Sequence, residues 1–297
     1  MPNLRDVKQR IDSTSNMRQL TRTMEMVATA KIKKAQGAIE AARPYALAMM
    51  EVLGNVAQYV RGASHPLLET HDKHERVVVI PVTADRGLAG AFNSNILRMT
   101  EGIIAEEHGK NAEVEIVAVG KKAINYFKYR EMEPVAAFRD LSDKPMFADA
   151  RAIAAEVIGR YTSGEIDAVS IVFNRFKNVA EQKPEIHQLL PIEHRALADA
   201  EANAQRQVPP EYTFEPDPES VLDRLLPTYV ETLVYRALME SAASEQGARR
   251  TAMKAATDNA SDMITTLTRS YNRARQASIT GEIAEIVGGA AALEDAK

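Results

Sequence analysis

Between Asn3 and about Tyr59, apolar residues return every three or four positions, through Leu4, Val7, Ile11, Met17, Leu20, Met24, Val27, Ile32, Ala35, Ile39 and Ala42. That is the period of one continuous helix. At 1.5 Å per residue it runs roughly 80 Å, too far to be covered by an ordinary domain, so another long helix must bury its apolar stripe. The chain supplies one at its other end, where Leu226, Tyr229, Leu233, Ala237, Ala256, Ala260, Met263, Leu267, Tyr271, Ala274, Ile279, Ile283 and Ile286 repeat the same spacing. Two single helices at opposite chain ends, with a compact region between them, pair most simply in antiparallel fashion. The pattern predicts a two-helix coiled coil from residues 1–60 and 218–293, with Pro44 interrupting and bending the first helix.

The texture changes in between. Val77-Val78-Val79-Ile80-Pro81-Val82 is β-branched and too short for a helix. Asp85-Arg86-Gly87-Leu88-Ala89-Gly90 makes a bend, and Asn93 or Ser94 is placed to cap a helix running to about Glu107. A strand over Glu113–Val119, a helix near Lys121–Tyr129, a short strand near Val135, a helix over Phe147–Tyr161, a strand over Val169–Asn174 and an extended segment over Glu185–Ile192 follow. Alternation of strand and helix predicts a Rossmann-like α/β domain over 75–192, with a mainly parallel sheet and helices on both faces. Residues 193–217, which contain Pro209-Pro210 and Pro216, carry neither period and read as a connector.

Apolar content near half with few aromatics suits a helical seam better than a bulky core. A net charge of −4 argues against generic attraction to nucleic acid or an anionic membrane face. The absence of cysteine excludes disulfides, thiolate nucleophiles and Cys-ligated metals. No apolar run approaches the roughly 20 residues of a membrane span, and the first residues lack a signal-peptide apolar block.

An α/β domain invites a nucleotide site, but Gly87 and Gly90 have the wrong spacing for a dinucleotide fingerprint, no P-loop occurs, and the second strand ends in Gly120-Lys121-Lys122 where a ribose-binding acid belongs. The six histidines show no metal-ligand frame, and His71 and His74 read as solvated loop residues. Asp85 beside Arg86 reads as an ion pair shaping the turn, since no nucleophile and base complete a catalytic set. No catalytic, cofactor or metal residue is therefore expected. Lys31, Lys33 and Lys34 with Arg18 and Arg22 fit a phosphate binder, a solvated coiled-coil face or a contact with an acidic protein surface. The stretch Ile279–Leu293 is apolar and extends past any covering helix, which implies a sleeve supplied by another protein.

Three ordered motifs carry a resemblance over essentially the whole chain. Met24-Glu25-Met26-Val27-Ala28-Thr29-Ala30-Lys31, the turn Asp85 to Asn93, and the C-terminal runs Glu245–Arg249, Met253–Ala260 and Tyr271–Thr280 through Glu285–Ala290 resemble the gamma subunits of rotary F-type ATP synthases, bacterial type. The turn has Ala89 where many relatives carry Cys, and the thiol-regulatory insert of chloroplast relatives is absent.

The resemblance implies a non-catalytic rotor shaft inside a ring of alternating alpha and beta subunits, with the epsilon subunit and the membrane c-subunit ring at its foot and one copy per complex. ATP, ADP and magnesium would bind the alpha and beta partners, not this chain. It further implies a peripheral place on the cytoplasmic face of the bacterial inner membrane. Arg275, Gln276 and Thr280 match family positions that contact the beta subunits, Arg249 a coupling-sensitive position and Met24 one near the beta-subunit lever, while Lys31 and its basic neighbours are placed to face the acidic lever segment of beta. The competing readings are a nucleotide-dependent α/β enzyme dimerised by its terminal helices, and a nucleic-acid-binding coiled coil.

Overall fold

The computed structural model describes residues 4–59, 65–71, 74–192, 215 and 217–294. Among the described residues the elements run in the order α1 (Leu4–Tyr59), β1 (Arg76–Pro81), α2 (Phe92–Gly109), β2 (Glu113–Val119), α3 (Lys121–Tyr129), β3 (Ala136–Phe138), α4 (Phe147–Thr162), β4 (Ala168–Phe176), β5 (Gln182–Leu190) and α5 (Pro218–Glu294). The chain divides into two compact units, one of Ala28–Arg249 and the other of Met1–Val27 with Arg250–Lys297.

In the unit of Ala28–Arg249 the strands form one sheet in the order β3-β2-β1-β4-β5. The first four strands are parallel and β5 joins β4 antiparallel. Because successive side chains of a strand point to opposite faces, the β-branched run of β1 is divided between two cores. Val78 and Ile80 pack with Ile153 and Val157 of α4 and with Leu53, Leu226 and Val234 of the long helices. Val77 and Val79 pack with Ile96 and Ile104 of α2 and Phe127 of α3. Burial on both faces is the condition under which a parallel sheet is stable, and it explains why β1 is a continuous apolar run.

Helix starts follow local chemistry. Asp217 accepts the Ser220 N–H at 2.8 Å, so Asp217 caps α5 and Pro218 occupies the first helical position, where a missing N–H costs nothing. Asn93 and Ser94 do not cap α2, which begins at Phe92 behind Ala91 with no side-chain cap. The Asn93 carboxamide oxygen instead accepts the Ala84 N–H at 2.9 Å, holding the turn to the helix. Pro44 lies inside α1, which continues as helix on both sides of it, so the expected interruption does not occur.

In the other unit, α1 and α5 run antiparallel. Thr21 Oγ1 meets Thr257 Oγ1 at 2.8 Å and Thr14 Oγ1 approaches Met263 Sδ at 3.9 Å, so positions rise along one helix as they fall along the other. Val7, Thr21, Met253 and Ala260 form the buried seam. The segment expected as a connector lies, apart from Glu215 and Asp217, outside the described residues.

Candidate functional site

Parallel α/β sheets bind ligands at the carboxyl ends of the strands, where the strand order reverses. Here that point lies between β1 and β4, and α5 fills it. Ser244 Oγ donates to the carbonyl of Asn174 at the end of β4 at 2.9 Å. Arg249 Nη2 donates to the Gly87 carbonyl in the turn after β1 at 3.1 Å. Ala248 packs on Ala84, Ala89 and Phe92 of that turn. At Gly247 the helix passes close to the Gln182 side chain of β5, whose Nε2 would lie 2.9 Å from an added Cβ.

The turn is held by a carboxylate. Asp85 Oδ1 accepts the N–H groups of Lys121 (3.1 Å) and Asp140 (3.0 Å), and Oδ2 accepts that of Ser142 (3.2 Å). Burial alone would raise its pKa, but these donors outweigh burial and hold it below the ordinary aspartate value. Asp85 therefore does not form the expected ion pair with Arg86, because backbone donors from three other positions claim its oxygens. Next to it, Gly120 sits at φ +90, and any side chain there would collide with the Thr83 carbonyl.

Of the two histidines expected in solvent, His71 departs from expectation. His71 stacks on Tyr161 with ring centroids 4.5 Å apart and places Nδ1 3.2 Å from Asp167 Oδ1. Tyr161 donates to the Glu69 carbonyl at 2.6 Å, and burial first, then the charges of Asp167 and Glu69, push its phenol up to about 12. His65 is largely buried and accepts the Leu67 N–H through Nδ1 at 3.0 Å. Of the three histidines before β1, His74 alone stays half exposed, 2.8 Å from Glu107. These rings pin the segment before β1 to the body; among the described residues no group of acidic or histidine side chains is arranged to hold a metal ion.

A cavity of about 400 Å³ lies between α1, the start of α4 and α5, lined by Ile39, Tyr45, Met50, Phe147, Tyr235 and Met239. Its charged groups are Arg43 and the Arg236–Glu240 pair, joined at 2.8 Å, and they bring no nucleophile and base together.

The six residues expected to meet partners fall into two groups. Arg275, Gln276 and Thr280 are exposed on α5 and make no hydrogen bond or ion pair among the described residues. Met24 is half-buried on α1. Lys31 is instead paired with Asp143 at 2.5 Å, and Arg249 is 9% exposed, its guanidinium held by Glu245 at 2.6 Å as well as by Gly87. Burial raises the pKa of Glu245, with Arg249 opposing the shift. Glu245, Asp143 and Ser142 were not singled out individually by sequence reading; Asp143 and Ser142 meet partners 112 and 57 positions away, while Glu245 pairs with Arg249 one helical turn on.

Extrapolating the antiparallel pairing at one residue per residue places Leu4 opposite about position 273, so α5 continues beyond the reach of α1. There Ile279, Ile283, Ile286 and Val287 are 48%, 56%, 71% and 62% exposed. Isolated exposed apolar residues are ordinary, but a succession along one helix end marks an interaction surface.

A ligand crevice closed by the chain's own helix, together with a bare apolar helix end, defines a subunit organised around other chains. The family model described as ATP synthase matches residues 3–293. The ATP synthase gamma chain of Desulfitobacterium hafniense is 48% identical over 295 residues, covering 99% of this chain and all of that one. That of Desulforamulus reducens is 49% identical over 294 residues with the same coverage. Among solved structures, a chain of the Tetrahymena thermophila mitochondrial ATP synthase central stalk and c-ring aligns with TM-score 0.61 and 25% identity over 80% of this chain and 99% of its own. One from the Euglena gracilis mitochondrial enzyme shares the fold, with TM-score 0.65 and 20% identity over 98% and 94%. The chain belongs to the gamma chain family of the ATP synthases.

Proposed function

We propose that this chain is the central rotor shaft of a proton-translocating ATP synthase, coupling rotation of the membrane ring to conformational change in the catalytic beta subunits. The observation that carries the reading is the row of exposed isoleucines on α5 past the last position α1 can cover. Family membership from end to end supports it. An asymmetric helix pair presents different side chains to three equivalent beta subunits and favours a different conformation in each, and turning it permutes those preferences. The coupling is reciprocal: if shaft angle biases nucleotide affinity, nucleotide binding and hydrolysis bias shaft angle by the same free energy.

In this reading ATP, ADP and magnesium bind the alpha and beta partners and none binds this chain. One copy stands in each ring, with the epsilon subunit and the c-subunit ring at its foot. The complex keeps it on the cytoplasmic face of the bacterial inner membrane; no helix among the described residues is long and apolar enough to cross a membrane. Arg275, Gln276 and Thr280 are its contacts with the ring, and Met24 a further one.

The test is reconstitution with alpha and beta subunits. One copy per ring is expected, and Arg275→Glu is expected to lower coupled ATP turnover on the order of tenfold, as loss of a charged interface contact does. Unchanged turnover would remove the contact role. Micromolar nucleotide affinity in the isolated chain would favour the enzyme reading.

A further inference from the structure

The loop after β3 gathers polar ties from four directions. Asp140 and Ser142 give their N–H groups to Asp85 in the turn after β1. The Asp140 carboxylate takes Lys121 Nζ, at the start of α3, at 2.5 Å. Asp143 takes Lys31 of α1 at 2.5 Å. Ser142 shares a small cavity with Glu245 of α5, whose carboxylate holds Arg249 against the Gly87 carbonyl. One loop and one turn thus hold both long helices to the sheet at a single level. Lys31 and Arg249 lie in the last turn of each helix before it leaves the unit of Ala28–Arg249.

Apolar packing already attaches the long helices to the sheet through Leu53, Leu226 and Val234. Such contact is non-directional. The buried, interdigitated side chains resist separation and also much of the twisting of a helix about its own axis. Hydrogen bonds and ion pairs depend on angle as well as distance. Lateral polar ties on both helices therefore add angle-dependent resistance to the resistance that packing gives.

We propose that the loop of residues 140–143, with Asp85 and the Glu245–Arg249 pair, is a torsional clasp that makes the α/β body and the two long helices turn together. The proposal rests on the rotor reading and adds to it the positioning residues through which torque passes. Lys31 and Arg249 then act within the chain, and their effect on coupling is indirect. A loosened clasp lowers the resistance to twisting between the helices and the body, so ATP hydrolysis continues while fewer protons are pumped per ATP.

The test is a charge exchange in the complete ATP synthase in sealed vesicles, with ATP hydrolysis and proton pumping measured together. Lys31→Asp and Asp143→Lys are each expected to keep hydrolysis within about twofold of the parent while lowering protons pumped per ATP about fivefold, and the double variant to restore the ratio, as a pairwise interaction requires. Both side chains are partly exposed, so unfolding of the single variants is expected to stay within a few degrees of the parent, which the isolated chain checks. An unchanged ratio in the single variants would overturn the clasp. So would failure of the double variant to recover, the result expected if Lys31 meets a partner subunit instead. A parent chain that enters no complex, or whose complex pumps no protons, would sink the rotor reading itself.

Discussion

The unit of Ala28–Arg249 and the unit formed by the two chain ends satisfy their apolar residues in opposite ways. In the first, Val78, Ile80, Ala150 and Val169 are completely buried and helices cover both faces of the sheet. In the second, Val7, Thr21, Met253 and Ala260 form a narrow seam, while Met17, Leu20, Ile283 and Ile286 stay in solvent. A body with its own core buries its apolar residues within the chain. A helix pair that leaves half its apolar residues bare gains little from them alone and holds them for other chains.

That contrast is most exposed to failure at Phe127, fully buried between α3 and the sheet. Phe127→Ala is expected to cost about 3–5 kcal/mol, read as a fall in the urea midpoint. Next comes Gly120, where φ +90 and the nearby Thr83 carbonyl leave no room for a side chain. Gly120→Ala is expected to cost about 1–3 kcal/mol in the same assay, because a strained backbone must either hold or rearrange. A near-neutral result would mean that the turn after β1 is softer than its hydrogen bonds imply.

A smaller effect should appear with pH. Burial lowers the pKa of His65, against the raising influence of Asp223 and Glu69. A base depressed by folding binds protons more readily when unfolded. Its contribution is therefore complete above the unfolded value of about 6.5 and fades as pH falls through it. The urea midpoint should drop between about pH 8 and about pH 5, and His65→Gln should flatten that slope. An equal slope in the variant would assign the effect to other groups. Smallest of all, Ile283→Ala should change stability by less than about 0.5 kcal/mol while lowering turnover in the assembled complex. A large loss of stability there would erase the distinction between the two units.

Much of this architecture is local in the sequence and was legible there. The three- and four-residue steps from Leu4 to Ala42 specify a helix whatever it packs against, and the Val77–Ile80 run specifies a buried strand. The bare end of α5 was legible too, from the unequal lengths of the two helices. What was hidden depends on residues distant in the chain. Nothing near Asp85 reveals that backbone groups at 121, 140 and 142 will claim its oxygens in place of Arg86. Nothing near His71 reveals the ring of Tyr161. In the sequence Lys31 fits a phosphate binder, a solvated face or a contact with an acidic protein surface, because its partner Asp143 lies 112 positions away and is identified only once the loop after β3 is brought beside α1. The Glu245–Arg249 pair is one helical turn apart and was legible, but its hold on the Gly87 carbonyl was not.

Because the chain contains no cysteine, one introduced at Ile283 reports on that position alone. Its maleimide labelling in the isolated chain and in a complex with alpha and beta subunits measures whether the bare end of α5 has a bearing. The account predicts rapid labelling alone and labelling on the order of tenfold slower in the complex, as for a buried interface, with Glu106→Cys on α2 labelling equally in both. Equal rates at position 283 in the two states would contradict it.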